Sequence, residues 1–209
     1  MATKAKSKDL KPRSLRALNR VILKSAPGVT GGTRAVLGEG PLNPALALVG
    51  EQPGDQEDLE GHPFVGPAGK LLDRALEDAG IDRKQIYITN AVKHFKYEWR
   101  GKRRLHAKPN AGEVKHYRWW LKKELDLVKP RVTVALGATA VLALAGHAIP
   151  IGKNRGPTQF EGLCGFITVH PSSLLRTRDA IERRNAFQAF VADLAAAKKL
   201  AVSQRKRAA

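Results

Sequence analysis

The chain has 209 residues, of which 43% are hydrophobic and 27% charged, and a formal net charge of +18. This is enough apolar material for one folded domain, and no apolar run approaches the roughly 20 residues that cross a bilayer. The single cysteine, Cys164, excludes an intramolecular disulfide and any metal or iron–sulfur site built from several thiolates.

Residues 1–10 are polar and basic and read as a disordered arm. A short helix is predicted within 11–26, because Leu15, Leu18, Val21 and Ile22 share one face at helical spacing. Residues 27–32 read as a loop. The chain then alternates strand and helix. Residues 45–49 form a buried strand, and 68–79 form a helix with Leu71, Leu72, Ala75, Leu76 and Ala79 on one stripe and Gly80 as its stop. A second strand spans 86–89. A second long helix spans 111–128, its stripe running through Val114, Tyr117, Leu121, Leu125 and Val128, with Pro130 beyond its end. Residues 132–136 and 166–169 are the third and fourth strands, a short helix starts over 139–144, and 183–200 form a final helix. Such alternation predicts a three-layer α/β/α fold around a mostly parallel four-stranded sheet. The folded domain covers 36–200, between a basic N-terminal arm (1–35) and a basic C-terminal tail (201–209).

A charge of this size on a small chain points to a polyanionic partner. The cations are clustered. Residues 1–38 carry nine Lys or Arg against one acid, Asp9, and residues 93–108 carry seven against one acid, Glu98. Basic tails also serve solubility or weak, non-specific binding, but the middle cluster lies inside the folded region. The N-terminus has no apolar signal-peptide core, so the expected location is the cytoplasm.

In parallel sheets, ligands bind beyond the carboxyl ends of the strands. Three segments lie there: Gly50-Glu51-Gln52-Pro53-Gly54-Asp55, Asn90-Ala91-Val92-Lys93-His94 and His170-Pro171-Ser172-Ser173. Glu51 or Asp55 could serve as a base or an electrostatic stabiliser, or simply form a turn. Asn90 carries a donor and an acceptor that can read a base edge, or it caps a turn. His170 either aims into the crevice or bonds to nearby backbone. Between these segments, Gly61-His62-Pro63-Phe64-Val65-Gly66-Pro67-Ala68-Gly69 fixes a loop around Phe64, which stacks on a planar ligand or packs into the core. Gly101-Lys102-Arg103-Arg104-Leu105-His106-Ala107-Lys108-Pro109 is a basic loop suited to phosphate, with a histidine able to act as nucleophile or acid/base group. The alternative there is a solvated surface loop.

Taken together, these segments resemble the uracil-DNA glycosylase superfamily. Gly50 to Gly54 resembles its first motif and His170-Pro171-Ser172 its second, and the resemblance runs from Val36 to Leu194. Gln52 and the Lys102-Arg103-Arg104-Leu105-His106 segment resemble the UdgX branch, although Leu105 replaces the usual isoleucine. A monomer is expected, and the resemblance implies action on uracil-containing DNA, single- or double-stranded. It implies catalysis by His106, Glu51 and His170, with His106 attacking the sugar and staying attached. It implies uracil binding by Gln52, Asp55, Phe64 and Asn90, and phosphate contacts from Lys93, Lys102, Arg103, Arg104, Lys108 and Ser172. The alternatives are a turnover glycosylase, a binding module for uracil or abasic DNA, and a protein that binds nucleic acid by charge alone. The branch and its nearest glycosylase relatives carry an iron–sulfur cluster held by four cysteines. One cysteine excludes it here, so no cofactor is expected. Tyr117 stands near one ligand position, and aromatic packing of Tyr117, Trp119 and Trp120 is expected to hold that region.

Overall fold

The computed structural model describes residues 12–208; the arm expected over 1–10 lies outside them. Helix α1 (Leu15–Lys24) starts at Ser14, whose side chain accepts the Ala17 N–H, and buries Leu18 and Ile22. Next come β1 (Leu46–Gly50), α2 (Asp55–Glu60), α3 (Pro67–Asp78) and β2 (Tyr87–Asn90). The segment expected as a basic loop over 101–109 instead contributes β4 (Arg103–His106), which forms an antiparallel hairpin with β3 (Tyr97–Arg100). Helix α4 (Ala111–Val128) opens with a capping box, in which Asn110 accepts the Glu113 N–H and Glu113 accepts the Asn110 N–H. Then follow β5 (Val132–Leu136), α5 (Ala138–Ala145), α6 (Ile151–Asn154), β6 (Gly156–Phe160), β7 (Leu163–Thr168), α7 (Pro171–Arg176) and α8 (Ala180–Ala208).

The main sheet has five strands in the order β2-β1-β5-β7-β6, not the four expected from the sequence. β2, β1, β5 and β7 are parallel, whereas β6 pairs antiparallel with β7 at the edge. An edge strand tolerates Pro157, because its missing N–H need not enter a ladder. The alternation of side chains divides the core. Ala47, Val49 and Ala135 face α1, α4 and α5, while Leu46, Leu48, Val132 and Val134 face the layer of α3, α7 and α8. Helix α8 buries Phe190, Leu194, Ala197 and Ala201 at helical spacing. It runs through the segment expected to be a separate C-terminal tail. Among the described residues, no helix is long and apolar enough to cross a membrane.

The chain goes from β1 outward to β2, and later returns to β5 on the other side of β1. The crevice opens where this order reverses, at the carboxyl ends of β1 and β5.

Candidate active site

Four strand ends and one loop converge on that crevice. Glu51 follows β1. One of its carboxylate oxygens accepts the hydroxyl proton of Thr139, in the first turn of α5, so this bond bridges the gap between β1 and β5. The other oxygen, Oε1, lies 3.0 Å from Nε2 of His106, at the end of β4. Burial raises the Glu51 carboxyl, but the bonds from His106 and Thr139 outweigh it and leave its pKa below the ordinary 4.5. Glu51 is therefore a carboxylate at neutral pH.

Asn90 closes β2. Its Oδ1 is buried and has no hydrogen-bond partner among the described residues. Such an atom costs about 1–3 kcal/mol unless something meets it. It faces Gly50, where a Cβ would overlap Asn90 Oδ1 and come within 2.5 Å of Cζ of Phe64. Asn90 and Phe64 thus pack directly against Gly50, as only glycine allows, and this sets an unmet acceptor beside an aromatic ring. Phe64 has φ of 56°, the left-handed region that bulky residues avoid. Arg83 holds this strained turn by donating to the carbonyls of Pro63 (2.9 Å) and Phe64 (3.4 Å).

His170 follows β7 and caps α7, its ring centroid 6.0 Å from that of Phe64. Its Nδ1 accepts the Ser172 N–H at 3.2 Å, so the neutral ring carries its proton on Nε2. Burial lowers its pKa to about 4, against opposing attraction from Glu51, and nearby His106 and Arg176 lower it further. The ring is a neutral donor.

The hairpin is anchored by residues for which the sequence suggested other roles. Gln52, expected at uracil, is buried, and its amide donates to the carbonyls of Lys96 (3.1 Å) and Ala107 (3.2 Å) and accepts the Lys96 N–H (3.2 Å). It staples the two strands of the hairpin at their base, which uses both ends of the amide. Asp55, also expected at uracil, pairs through Oδ1 with Nε of Arg104 at 2.6 Å. Arg104, expected at a phosphate, also pairs with Asp58 and lies over the rings of Tyr97 (5.1 Å) and Phe95 (5.6 Å). Its guanidinium clamps the hairpin to α2.

Lys93 is corrected most sharply. It was expected on the DNA backbone, yet it is fully enclosed. Its Nζ donates to Glu124 Oε2 (2.5 Å), Thr89 Oγ1 (2.6 Å) and the Asn90 carbonyl (2.8 Å), which satisfies all three protons. Glu124 Oε1 accepts in turn from Tyr87 (2.9 Å) and Thr89 (3.1 Å). The network fixes the backbone of Asn90 from inside the core. Lys102, Arg103 and Lys108 are exposed, and Ser172 is half-buried against His170. The sequence reading missed Thr139 as a partner of Glu51; its one signal was its place in the first turn of a helix after a buried strand. An open cleft of about 550 Å³ lies at the opposite end of the sheet, lined by Pro44, Ile81, Lys84, Arg131 and Lys198 among others, away from these groups.

The Uracil DNA glycosylase superfamily profile matches residues 37–195. The chain belongs to that superfamily. It is 40% identical over 155 residues to a type-4 uracil-DNA glycosylase of Thermotoga maritima, a match covering 73% of this chain and 77% of that protein. A type-4 uracil-DNA glycosylase of Pyrobaculum aerophilum is 37% identical over 151 residues, covering 68% and 74%. A type-5 enzyme of the same organism is 31% identical over 153 residues, covering 65% and 64%.

The iron–sulfur cluster implied by the resemblance does not fit the residues present. The chain has one cysteine, Cys164, which lies in β7. Tyr117, near one expected ligand position, accepts the Gly28 N–H at 2.7 Å and bonds His94 Nδ1 at 2.8 Å. Hydrogen bonds therefore join the aromatic packing expected there, in which Trp119 and Trp120 meet edge-on at 4.9 Å. Burial raises the Tyr117 phenol to about 12 and lowers His94 to about 4.

His94 and His170 together set an acid limit on stability. Unfolded imidazoles take up protons as pH falls through about 6.5, whereas the folded ones do so only near 4. The unfolded state binds more protons in that window, so stability must decline as pH falls from about 6.5 to about 4. Melting temperature is expected to drop across this range, and His94→Gln to flatten the drop. A flat profile in the wild type would show that neither ring is held neutral.

Proposed function

We propose that this chain excises uracil from DNA and captures the exposed sugar through His106, as in the UdgX branch that its hairpin sequence resembles. The observation that carries this reading is the contact of His106 with Glu51 at 3.0 Å, at the strand ends that also bring Phe64, Asn90 and His170 together.

A base stacked in a duplex cannot enter such a crevice, so the nucleotide is flipped out or met in a single strand. Phe64, buried beside Gly50 and His170, would border the uracil ring. Asn90 Oδ1 accepts from N3–H of uracil; cytosine has no hydrogen there and would leave the buried acceptor unmet. As the bond between base and sugar breaks, its electron pair moves to the base. Nε2–H of His170 donates to a uracil carbonyl where that negative charge builds. The Glu51 carboxylate faces the electron-poor C1′. The imidazole lone pair of His106 then forms a bond to C1′, and its ring proton passes to Glu51. The new nitrogen–carbon bond has no easy leaving route, so the reaction stops after one event. Lys102, Arg103, Lys108 and Ser172 remain available to phosphates. The hairpin needs no cluster in this reading, because Gln52 and Arg104 hold it.

A turnover reaction completed by water is favoured by the similarity to type-4 glycosylases. A labelled uracil-containing oligonucleotide separates the two. Covalent capture predicts a heat-stable, uracil-dependent band on a denaturing gel that disappears in His106→Ala. Uracil released over many turnovers with no adduct would make this an ordinary glycosylase and remove the nucleophilic role of His106.

A further inference from the structure

The hairpin carries an aromatic residue that neither the core nor the uracil pocket uses. Trp99 is 65% exposed, the one aromatic among the strongly exposed large hydrophobic residues described. The other exposed large apolar side chains described, such as Leu59 and Ile181, are aliphatic. An indole left in water on a basic hairpin is a different matter, because exposing it forgoes a large burial gain.

Its position is defined by the strand register. Tyr97 pairs with His106 and Trp99 with Arg104, so alternation puts Tyr97, Trp99, Arg104 and His106 on one face of the hairpin. The contacts agree: Arg104 lies over Tyr97 at 5.1 Å, and Tyr97 meets Trp99 edge-on at 5.6 Å and 89°. Trp99 is the diagonal neighbour of His106, a separation of about 7–8 Å in an antiparallel pair. The turn beyond it, Gly101-Lys102, has Gly101 at φ of 61°, as the first position of a two-residue hairpin turn of this kind requires. That turn is flanked by Arg100 and Arg103, both exposed, as is Lys102. The indole and the histidine proposed to capture the sugar thus share one face, while alternation puts Arg100 and Arg103 on the other and Lys102 sits in the turn between the strands.

We infer that Trp99 is a stacking platform for a nucleobase of single-stranded DNA next to the uracil nucleotide, with Lys102 at the tip of the hairpin meeting an adjoining phosphate. Positive charge along the backbone with an aromatic under a base is the usual chemistry of single-strand binding. Every base has a flat face, so the platform adds affinity without choosing sequence. In a paired duplex the neighbouring base is already stacked and gains nothing from the indole. The inference therefore assigns the strand preference of this site to the hairpin, and the choice of uracil to the pocket. It rests on the uracil reading for the identity of the captured nucleotide, but not for the stacking itself.

The test measures binding of fluorescently labelled single-stranded oligonucleotides, containing either one uracil or thymine in its place, to wild type, Trp99→Ala and Trp99→Phe. Trp99→Ala is expected to weaken single-strand binding roughly 5- to 150-fold, the range for loss of one stacked base, and Trp99→Phe to recover most of it. The same loss with thymine shows that stacking is independent of uracil recognition, so it survives even if the uracil reading fails. Replacing the base on one side of the uracil with an abasic unit should weaken the wild type by a similar factor and leave Trp99→Ala unaffected. A uracil duplex should show little difference between wild type and Trp99→Ala. Equal single-strand affinities for wild type and Trp99→Ala, or an equal loss on duplex, would overturn the proposal. Circular dichroism melts of the variants confirm that the fold is intact, as expected for so exposed a side chain.

Discussion

Replacement of Lys93 by methionine is expected to destabilise the protein by about 3–5 kcal/mol, the cost of leaving one member of a buried ion pair without its partner. Lys93 and Glu124 both have side chains shielded from water, and their 2.5 Å contact is the centre of a network with Thr89, Tyr87 and the Asn90 carbonyl. In Lys93→Met the carboxylate of Glu124 stays buried with only two hydroxyl donors. For a chain of this size each kcal/mol moves the melting temperature by about 2–4 °C, so a fall on the order of 10 °C is expected. Adding Glu124→Leu should restore part of the loss, because it removes the unpaired buried charge but leaves the Tyr87 and Thr89 hydroxyls without their acceptor. Lys93→Met should also weaken uracil binding, since it frees the Asn90 backbone. A variant that melts like the wild type but loses salt-dependent DNA affinity would instead place Lys93 at the phosphates.

Glu51→Gln is expected to slow release of the base on the order of 10²- to 10³-fold, comparable to loss of a single preorganised electrostatic contact. Glutamine keeps the shape and can still bond Thr139 and His106, but it removes the negative charge beside the developing sugar cation. The wild-type carboxyl is held below 4.5, so its charge is present throughout the neutral range. Loss of rate through protonation of Glu51 should therefore begin only below that pH, and Glu51→Gln should lack that acid limb. Single-turnover rates measured against pH read both effects. A full rate in Glu51→Gln would mean that its charge does not assist bond cleavage and that Glu51 only orients His106.

The alternation of buried strands with helical stripes was enough to predict the α/β/α layers and the parallel run of β1, β2, β5 and β7. These patterns are local: each is a matter of spacing within one element. The same logic located Glu51, Asn90 and His170, because polar residues just beyond the carboxyl ends of parallel strands lie at one edge whatever the details of packing. The edge strand β6 was not legible, since Gly156-Pro157-Thr158-Gln159 has neither apolar alternation nor a continuous buried run. The hairpin was hidden for a similar reason. Its strands are largely exposed and charged, so they read as a basic loop.

The roles of the charged and amide residues were decided by tertiary structure. In sequence, Lys93 and Arg104 are cations in a basic stretch, and nothing local separates a phosphate contact from an internal ion pair. Their partners are distant: Glu124 is 31 residues from Lys93 and Asp58 is 46 from Arg104. Gln52 likewise reaches Lys96 and Ala107 rather than ligand. Hydrophobic periodicity alone sets where the strands end, and so which residues stand at the crevice edge. Only the folded structure decided which of them keep a free polar group for DNA, because burial makes pairing within the protein obligatory and the partners come from elements far apart in the chain.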